Sequence, residues 1–342
     1  MTSTQVLSSS DSMVYSHAIG ICTMRGRGFY CPVDTVIDPS GRILVLNRSI
    51  DRDIEGIRVT VCGPNSEFYM VFGHGGTGNG EFIWPSSITC DRSGNSYIAD
   101  QYLNRISIFD PEGKFISNWG TEGSLPGQFN GPSGLAMDPD DNLLVVDHLN
   151  NRIQKYTARG EYMSQFGSSG PAEGELDMPW GIDVNYKGEI FIADWRNDRI
   201  QVFSTNGDFI AKFGESGQEN GQLNRPSSVT VDTQGLIYIA DWGNERIQIL
   251  DKEGNFVTKL RGDAGLSKWA DEFMTANVDE ATARENSEME PNLPHLKNDP
   301  HEESSHIEKL FWGPVSVNID SAGRLYVTES NRHRIQVYDW SR

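Results

Sequence analysis

Three groups of residues have types and spacings that could do chemistry. Asp100, Asp147, Asp194 and Asp241 are each followed five residues later by an arginine, namely Arg105, Arg152, Arg199 and Arg246, and Glu329 precedes Arg334 in the same way. A carboxylate and a guanidinium so placed could hold an ion, polarise a substrate or pair with each other. His295, His301 and His306 lie among Asp299, Glu302 and Glu303, and such donors together suit zinc or another transition metal. Their spacing fits no rigid ligand motif, so no metal site is expected and a metal ion there is the weaker alternative. Ser87, His148 and Asp34 could form a nucleophilic triad, with Asp34 and His148 the weak catalytic candidates, but no local nucleophile motif supports it. No cofactor motif is present, since the glycines of GHGGTGNG fall in an ordinary connection of the repeat.

The elements that would position these residues follow from a repeat. Arginines of the frame N-x-R-I-Q recur at Arg105, Arg152, Arg199 and Arg246, each 47 residues after the last, and Arg58 keeps the spacing. Arg334 comes 88 residues after Arg246, one period plus 41 inserted residues. Each unit writes four short apolar runs parted by turn residues, as in SGLAMD, LLVVD, RIQKYT and EYMSQFG, which reads as four antiparallel strands. Packed radially, such sheets cover one another, so the expected fold is all-β, a six-bladed β-propeller. The last unit stops after its third strand, and MVYSHAIG near the amino terminus aligns with SEFYMVFG, so the first strand should close the ring.

On these residues the chain resembles the NHL-repeat family, whose signature is an Asp followed by x-x-N-x-R-I-Q-V-F. Asn47 departs from it, and Glu329 matches it conservatively. The resemblance implies a single NHL-type propeller domain over residues 13–342, preceded by a flexible amino terminus at 1–12. It also implies one of several functions, because such propellers serve as interaction platforms, as RNA readers and as enzymes. The amidating lyases among them hold zinc with histidines on the inner strands. The corresponding positions here, Val33-Asp34, Ser86-Ser87, Ser133-Gly134, Trp180-Gly181, Ser227-Ser228 and Val315-Ser316, contain no histidine, which counts against that chemistry.

An Asp–Arg pair in five blades cannot mark one site, so its expected role is to hold each inner hairpin shut. The residues three before each blade-starting proline, Phe29, Phe82, Phe129, Leu176, Leu223 and Phe311, are expected core, as are Phe72, Trp119, Phe166 and Phe213. Function is then sought where the repeats differ. With strands a to d counted outward from the axis, the b-to-c loops and d-to-a connections open on one face. Both insertions fall there: IDRDIE at 50–55, and residues 261–309 between blades five and six. The letter after each Asp also projects there. Gln101, His148, Trp195, Trp242 and Ser330 occupy it, with Trp180 starting the inner strand of blade four, and Tyr102 and Arg196 one position further on. Trp180, Trp195, Trp242, Tyr102, His148, Arg196 and Gln101 are the expected ligand contacts, the tryptophans forming an aromatic platform.

The long insertion places Leu266, Trp269, Ala270, Phe273 and Met274 on one helical face. It carries twelve acidic and five basic side chains, and the whole chain has a formal net charge of −19, which opposes nucleic acid and anionic lipid despite Arg52, Arg196 and Arg332. No signal-like or membrane-spanning run is present, and Cys22, Cys31, Cys62 and Cys90 show no paired spacing. The expectation is a cytoplasmic, non-catalytic propeller that binds a protein or peptide partner on the irregular face. A small-molecule lyase or hydrolase at the channel mouth, with or without a metal, is the alternative.

Overall fold

The computed structural model describes residues 12–49, 54–294, 296 and 299–341. Six four-stranded antiparallel sheets form the blades. In blade four, strands Ile182–Val184, Ile190–Asp194, Arg199–Phe203 and Phe209–Phe213 follow one another outward, with Asp194 opposite Arg199. Strand b of this blade is buried throughout, whereas the outermost strand alternates between partly buried and exposed positions. That contrast is why the inner strands read as continuous apolar runs: a neighbouring blade covers each of their faces. The sixth sheet is completed by the first strand, Ser12–Ile19, which pairs with Arg334–Ser341.

The apolar residues collect in six clusters. Between blades three and four, for example, Leu144, Val146 and Ile153 meet Ile190, Ile192 and Phe203. Phe29, Phe82, Phe129, Leu176, Leu223 and Phe311 are all fully buried. Around the axis the innermost strands approach closely. A Cβ on Gly181 would lie 2.6 Å from the Ser228 Cα, so a larger residue would force blades four and five apart. Hydroxyls bridge the gaps between blades two and three and between three and four, as Ser86 Oγ donates to Pro132 O at 2.8 Å and Ser133 Oγ to Trp180 O at 3.0 Å. These serines therefore join blade to blade, and Ser86 also lines the mouth.

At the rim, each c-to-d turn of blades two to five carries a glycine, Gly113, Gly160, Gly207 or Gly254, lying flat on Phe72, Trp119, Phe166 or Phe213 of the preceding blade. The seam that closes the ring is built differently. Ser66, with φ of 65°, occupies the glycine slot, and Ile19 stands where the aromatic would be. The space is filled from the insertion by Trp269, which is 1% exposed, packs edge-on against Phe29 at 5.6 Å, and donates its indole N–H to Ser66 O at 2.7 Å.

Trp269 lies on the first of three helices in the insertion, α1 (Lys268–Ala276), α2 (Val278–Glu285) and α3 (Pro300–His306). Ser267 caps α1 by accepting from Ala270 N and also donates to Gly20 O. The expected apolar face forms only in part: Leu266 precedes α1 and is exposed, Phe273 is exposed as well, and Trp269 is the one residue of α1 that is buried. α3 is tied to the b-to-c loops of blades five and six: Arg261 donates both to Asn244 O and to Glu303 and Ser304 of α3, and Arg332 donates to Ser304 O. Of the shorter insertion, Ile54 packs on Gly75 in the next d-to-a connection, and residues 50–53 lie outside the described residues. The amino-terminal residues 1–11 lie outside them as well. No helix among the described residues is long and apolar enough to cross a membrane.

Candidate functional site

The repeated signature is a loop-holding network. In blade four, Asp194 Oδ2 accepts from Arg199 Nε at 2.8 Å, Asn197 Nδ2 at 2.9 Å and Gln201 Nε2 at 3.1 Å, and Oδ1 accepts from Asp177 N at 2.8 Å. The rest of the Arg199 guanidinium donates to Pro171, Ala172 and Glu175 carbonyls of the incoming d-to-a connection. Burial pushes the Asp194 carboxyl up, and these donors pull it back down. Asp147–Arg152, Asp241–Arg246 and Glu329–Arg334 repeat the pair at 2.6 to 2.7 Å.

Blade two breaks the expected pattern. Asp100 instead accepts from the backbone N–H groups of Ile83, Tyr102 and Leu103, while Arg105 keeps only its carbonyl contacts to Thr77, Gly78 and Glu81. The cause is local. Leu103 and Ser107 stand where blade four has Asn197 and Gln201, so the side-chain donors that fix the carboxylate beside its arginine are missing.

The network positions the letter after each Asp. In blades three to five that residue opens a single 3-10 turn, His148–Asn150, Trp195–Asn197 or Trp242–Asn244, closed by a left-handed residue at Asn151, Asp198 or Glu245. The face so formed surrounds a funnel of about 330 Å³ lined by Val33, Arg48, Ser86, Trp180, Trp195, Ser227, Trp242, Val315, Ser330 and Asn331. Three expected ligand contacts, Trp180, Trp195 and Trp242, therefore share one cavity. A cation covers Trp195, but it is Arg225 of the next blade, 5.0 Å from the ring centroid, and not the arginine of its own blade.

The other four expected contacts lie elsewhere. Gln101 is half-buried with its N–H on Trp84 O, Tyr102 is 69% exposed, and Arg196 is exposed beside Met178. His148 is 5% exposed, bonds Pro179 O through Nδ1 at 2.9 Å, and meets Trp180 edge-on. Burial lowers its imidazole from the ordinary value.

Arg48 is the contact that sequence reasoning missed. It follows Asn47, so it holds in blade one the slot that Trp195 and Trp242 hold in theirs; the absent Asp concealed it. Its guanidinium lies 4.6 Å from the centroid of the Trp84 ring. No carboxylate among the described residues perturbs it, and burial alone lowers it from its ordinary value, with Cys31 opposing.

Below the funnel runs an axial channel of about 360 Å³ lined by the inner strands. Asp34 is buried in its wall as a clamp between blades. Oδ1 accepts from Ser316 Oγ at 2.6 Å and Thr35 N at 2.8 Å, and Oδ2 accepts from Ser87 Oγ at 2.7 Å and Ile88 N at 2.9 Å. The triad of Ser87, His148 and Asp34 is therefore not assembled: Ser87 donates to the carboxylate, and the His148 Nδ1 is spent on a carbonyl. Asp183, unnoticed in the sequence, is held likewise by Thr230 Oγ1 and the Val184 and Val231 N–H groups, and burial pushes its carboxyl up to about 6.

In the insertion, His301 Nδ1 lies 2.5 Å from Glu245 Oε1, and His306 Nδ1 lies 2.9 Å from both Ser305 Oγ and Glu302 O. His295 lies outside the described residues. Among the described residues no group of three or more His, Cys, Asp or Glu side chains is arranged to hold a metal.

The model of the NHL repeat matches residues 129–156, 176–203, 223–250 and 311–338. These are blades three to six; blades one and two, where Asn47, Thr60, Leu103 and Ser107 replace signature residues, are not matched. No curated protein is significantly similar to the chain in sequence. Among solved structures, a Bacteroides thetaiotaomicron VPI-5482 protein of unknown function superposes with a TM-score of 0.64 at 15% identity, over 97% of this chain and 77% of that one. A catalytically inactive virginiamycin B lyase from Staphylococcus aureus with quinupristin superposes with a TM-score of 0.58 at 12% identity, over 96% and 99% of the two chains. At such identities the likeness is one of fold. The chain is a six-bladed β-propeller that carries NHL repeats.

Proposed function

We propose that this protein is a non-catalytic binding propeller that holds a protein or peptide partner at the funnel. The observation that carries the reading is the composition of that cavity: three tryptophans and one arginine line it, and no described residue lining it is His, Cys, Asp or Glu. Tryptophan and arginine are the residues that dominate binding energy at protein interfaces. General acid–base and metal chemistry draw on the types that are missing. The four cysteines are unpaired, which favours a reducing compartment such as the cytoplasm for this binding.

Replacing Trp195 and Trp242 together by alanine is expected to abolish partner capture from native lysate while the melting temperature stays within a few degrees of wild type. Undiminished capture by a folded double variant would overturn the reading. The alternative, a small-molecule lyase or hydrolase, shares its fold with virginiamycin B lyase and draws on Asp183, a buried channel carboxyl pushed up to about 6. Turnover of quinupristin, lost on Asp183→Asn, would establish that alternative.

A further inference from the structure

We propose, building on the binding reading above, that the funnel recognises a free polypeptide C-terminus, with Arg48 taking the carboxylate and Trp180 and Trp195 taking the last side chain. In a ring of six, blades one and four face each other across the axis. Arg48 stands on blade one, and both tryptophans stand on blade four. A cation thus confronts an aromatic wall across one cavity, which calls for a ligand with an anion at one end and an apolar group at the other.

Arg48 is held ready for such an anion. It lies over the face of Trp84, and a guanidinium stacked in this way keeps its in-plane N–H donors available for a bidentate carboxylate. None of the described carboxylates pairs with it, although the chain carries 48 Asp and Glu against 29 Lys and Arg. By contrast Arg58, in the signature slot of the same blade, is spent on the Thr23, Met24 and Gly28 carbonyls.

The shape of the cavity favours a chain end over a passing segment. Blades one, two, four, five and six all contribute to its wall, and its volume is about 330 Å³, near the small end of ligand cavities at roughly 300 to 1,000 Å³. A terminus enters such a cup once, whereas an internal segment must find room to enter and to leave.

The test uses the full-length protein and hexapeptides labelled with fluorescein at the amino end, read by fluorescence anisotropy. One peptide ends in Phe as a free acid, a second is its C-terminal amide, and a third is amidated but carries an internal Asp. The free acid is expected to bind at least about tenfold more tightly than either amide, in keeping with the loss of a charge-assisted contact. Arg48→Met should erase that preference while leaving weak binding, and Arg48→Lys should restore part of it. Trp195→Ala should weaken acid and amide alike. Equal binding of acid and amide, equal binding of the internal-Asp peptide, or no binding of the free acid at millimolar concentration overturns the inference. If partner capture nevertheless depends on Trp195 and Trp242, the binding reading stands and only the terminal carboxylate falls.

Discussion

Four of the seams between blades are filled at the rim by the ring's own repeat, and the seam between blades six and one is not. In the four, an aromatic that ends one outer strand lies beneath a glycine turn of the next blade. At the closure, Ile19 is too small for the role, Ser66 replaces the glycine, and Trp269 arrives from a helix more than two hundred residues away in sequence. The difference shows that the insertion is partly structural. It leaves the propeller after blade five, touches the loops of blades five and six, and begins its first helix in the seam between blades six and one.

The largest expected effect comes from emptying that joint. Trp269→Ala should cost about 3 to 5 kcal/mol, the usual range for removing a buried large aromatic. Hydrogen exchange should then rise selectively in Ser12–Ile19 and Arg334–Ser341. Phe166→Ala, at an ordinary seam, should not single out those two strands. Equal exchange patterns in the two variants would show that the closure seam is not special.

A smaller loss is expected from Ser267→Ala, which removes the α1 cap together with the bond to Gly20 O. About 1 to 2 kcal/mol should appear as a lower denaturant midpoint. The smallest effect has the opposite sign. Ser66→Gly relieves a left-handed backbone and makes the seam resemble the other four, so it should stabilise the protein by up to about 1 kcal/mol. No gain in thermal melts would mean that the Trp269 contact already compensates at Ser66.

The pH dependence separates the blade interiors from the seam. Asp183 has a folded value of about 6, above its ordinary 3.8, so its contribution is fully present below the ordinary value and is lost as pH rises through the folded one. The difference in melting temperature between wild type and Asp183→Asn should therefore fall between pH 4 and pH 7, by the logic of linked protonation. The corresponding difference for Trp269→Ala should stay flat. A flat Asp183 curve would mean that this carboxyl titrates normally.

Much of the fold was readable because the repeat is nearly redundant. The 47-residue spacing of Arg105, Arg152, Arg199 and Arg246 set the blades, and the truncated last unit announced the donated first strand. Trp195 and Trp242 were readable at the mouth because the signature Asp marks their slot. Arg48 was hidden by the same device, since Asn47 replaces the Asp in blade one. The separation of Asp100 from Arg105 was legible only in Leu103 and Ser107, whose consequence depends on which donors surround a buried carboxylate. The destination of Trp269 could not be read from helical periodicity, which reports that a face is apolar but not which gap receives it. A hint was present in Ile19, which with Leu260 breaks a slot otherwise given to Phe72, Trp119, Phe166 and Phe213.

In blades three to six the carboxylate network grips backbone and arginine beneath the b-to-c turn, so the residue just beyond it can differ from blade to blade. Positions 48, 101, 148, 195, 242 and 330 already hold Arg, Gln, His, Trp, Trp and Ser on closely related backbones. The scaffold thus behaves as a socket with six exchangeable teeth. Rewriting those letters in combination offers a direct route to new specificities on an unaltered ring.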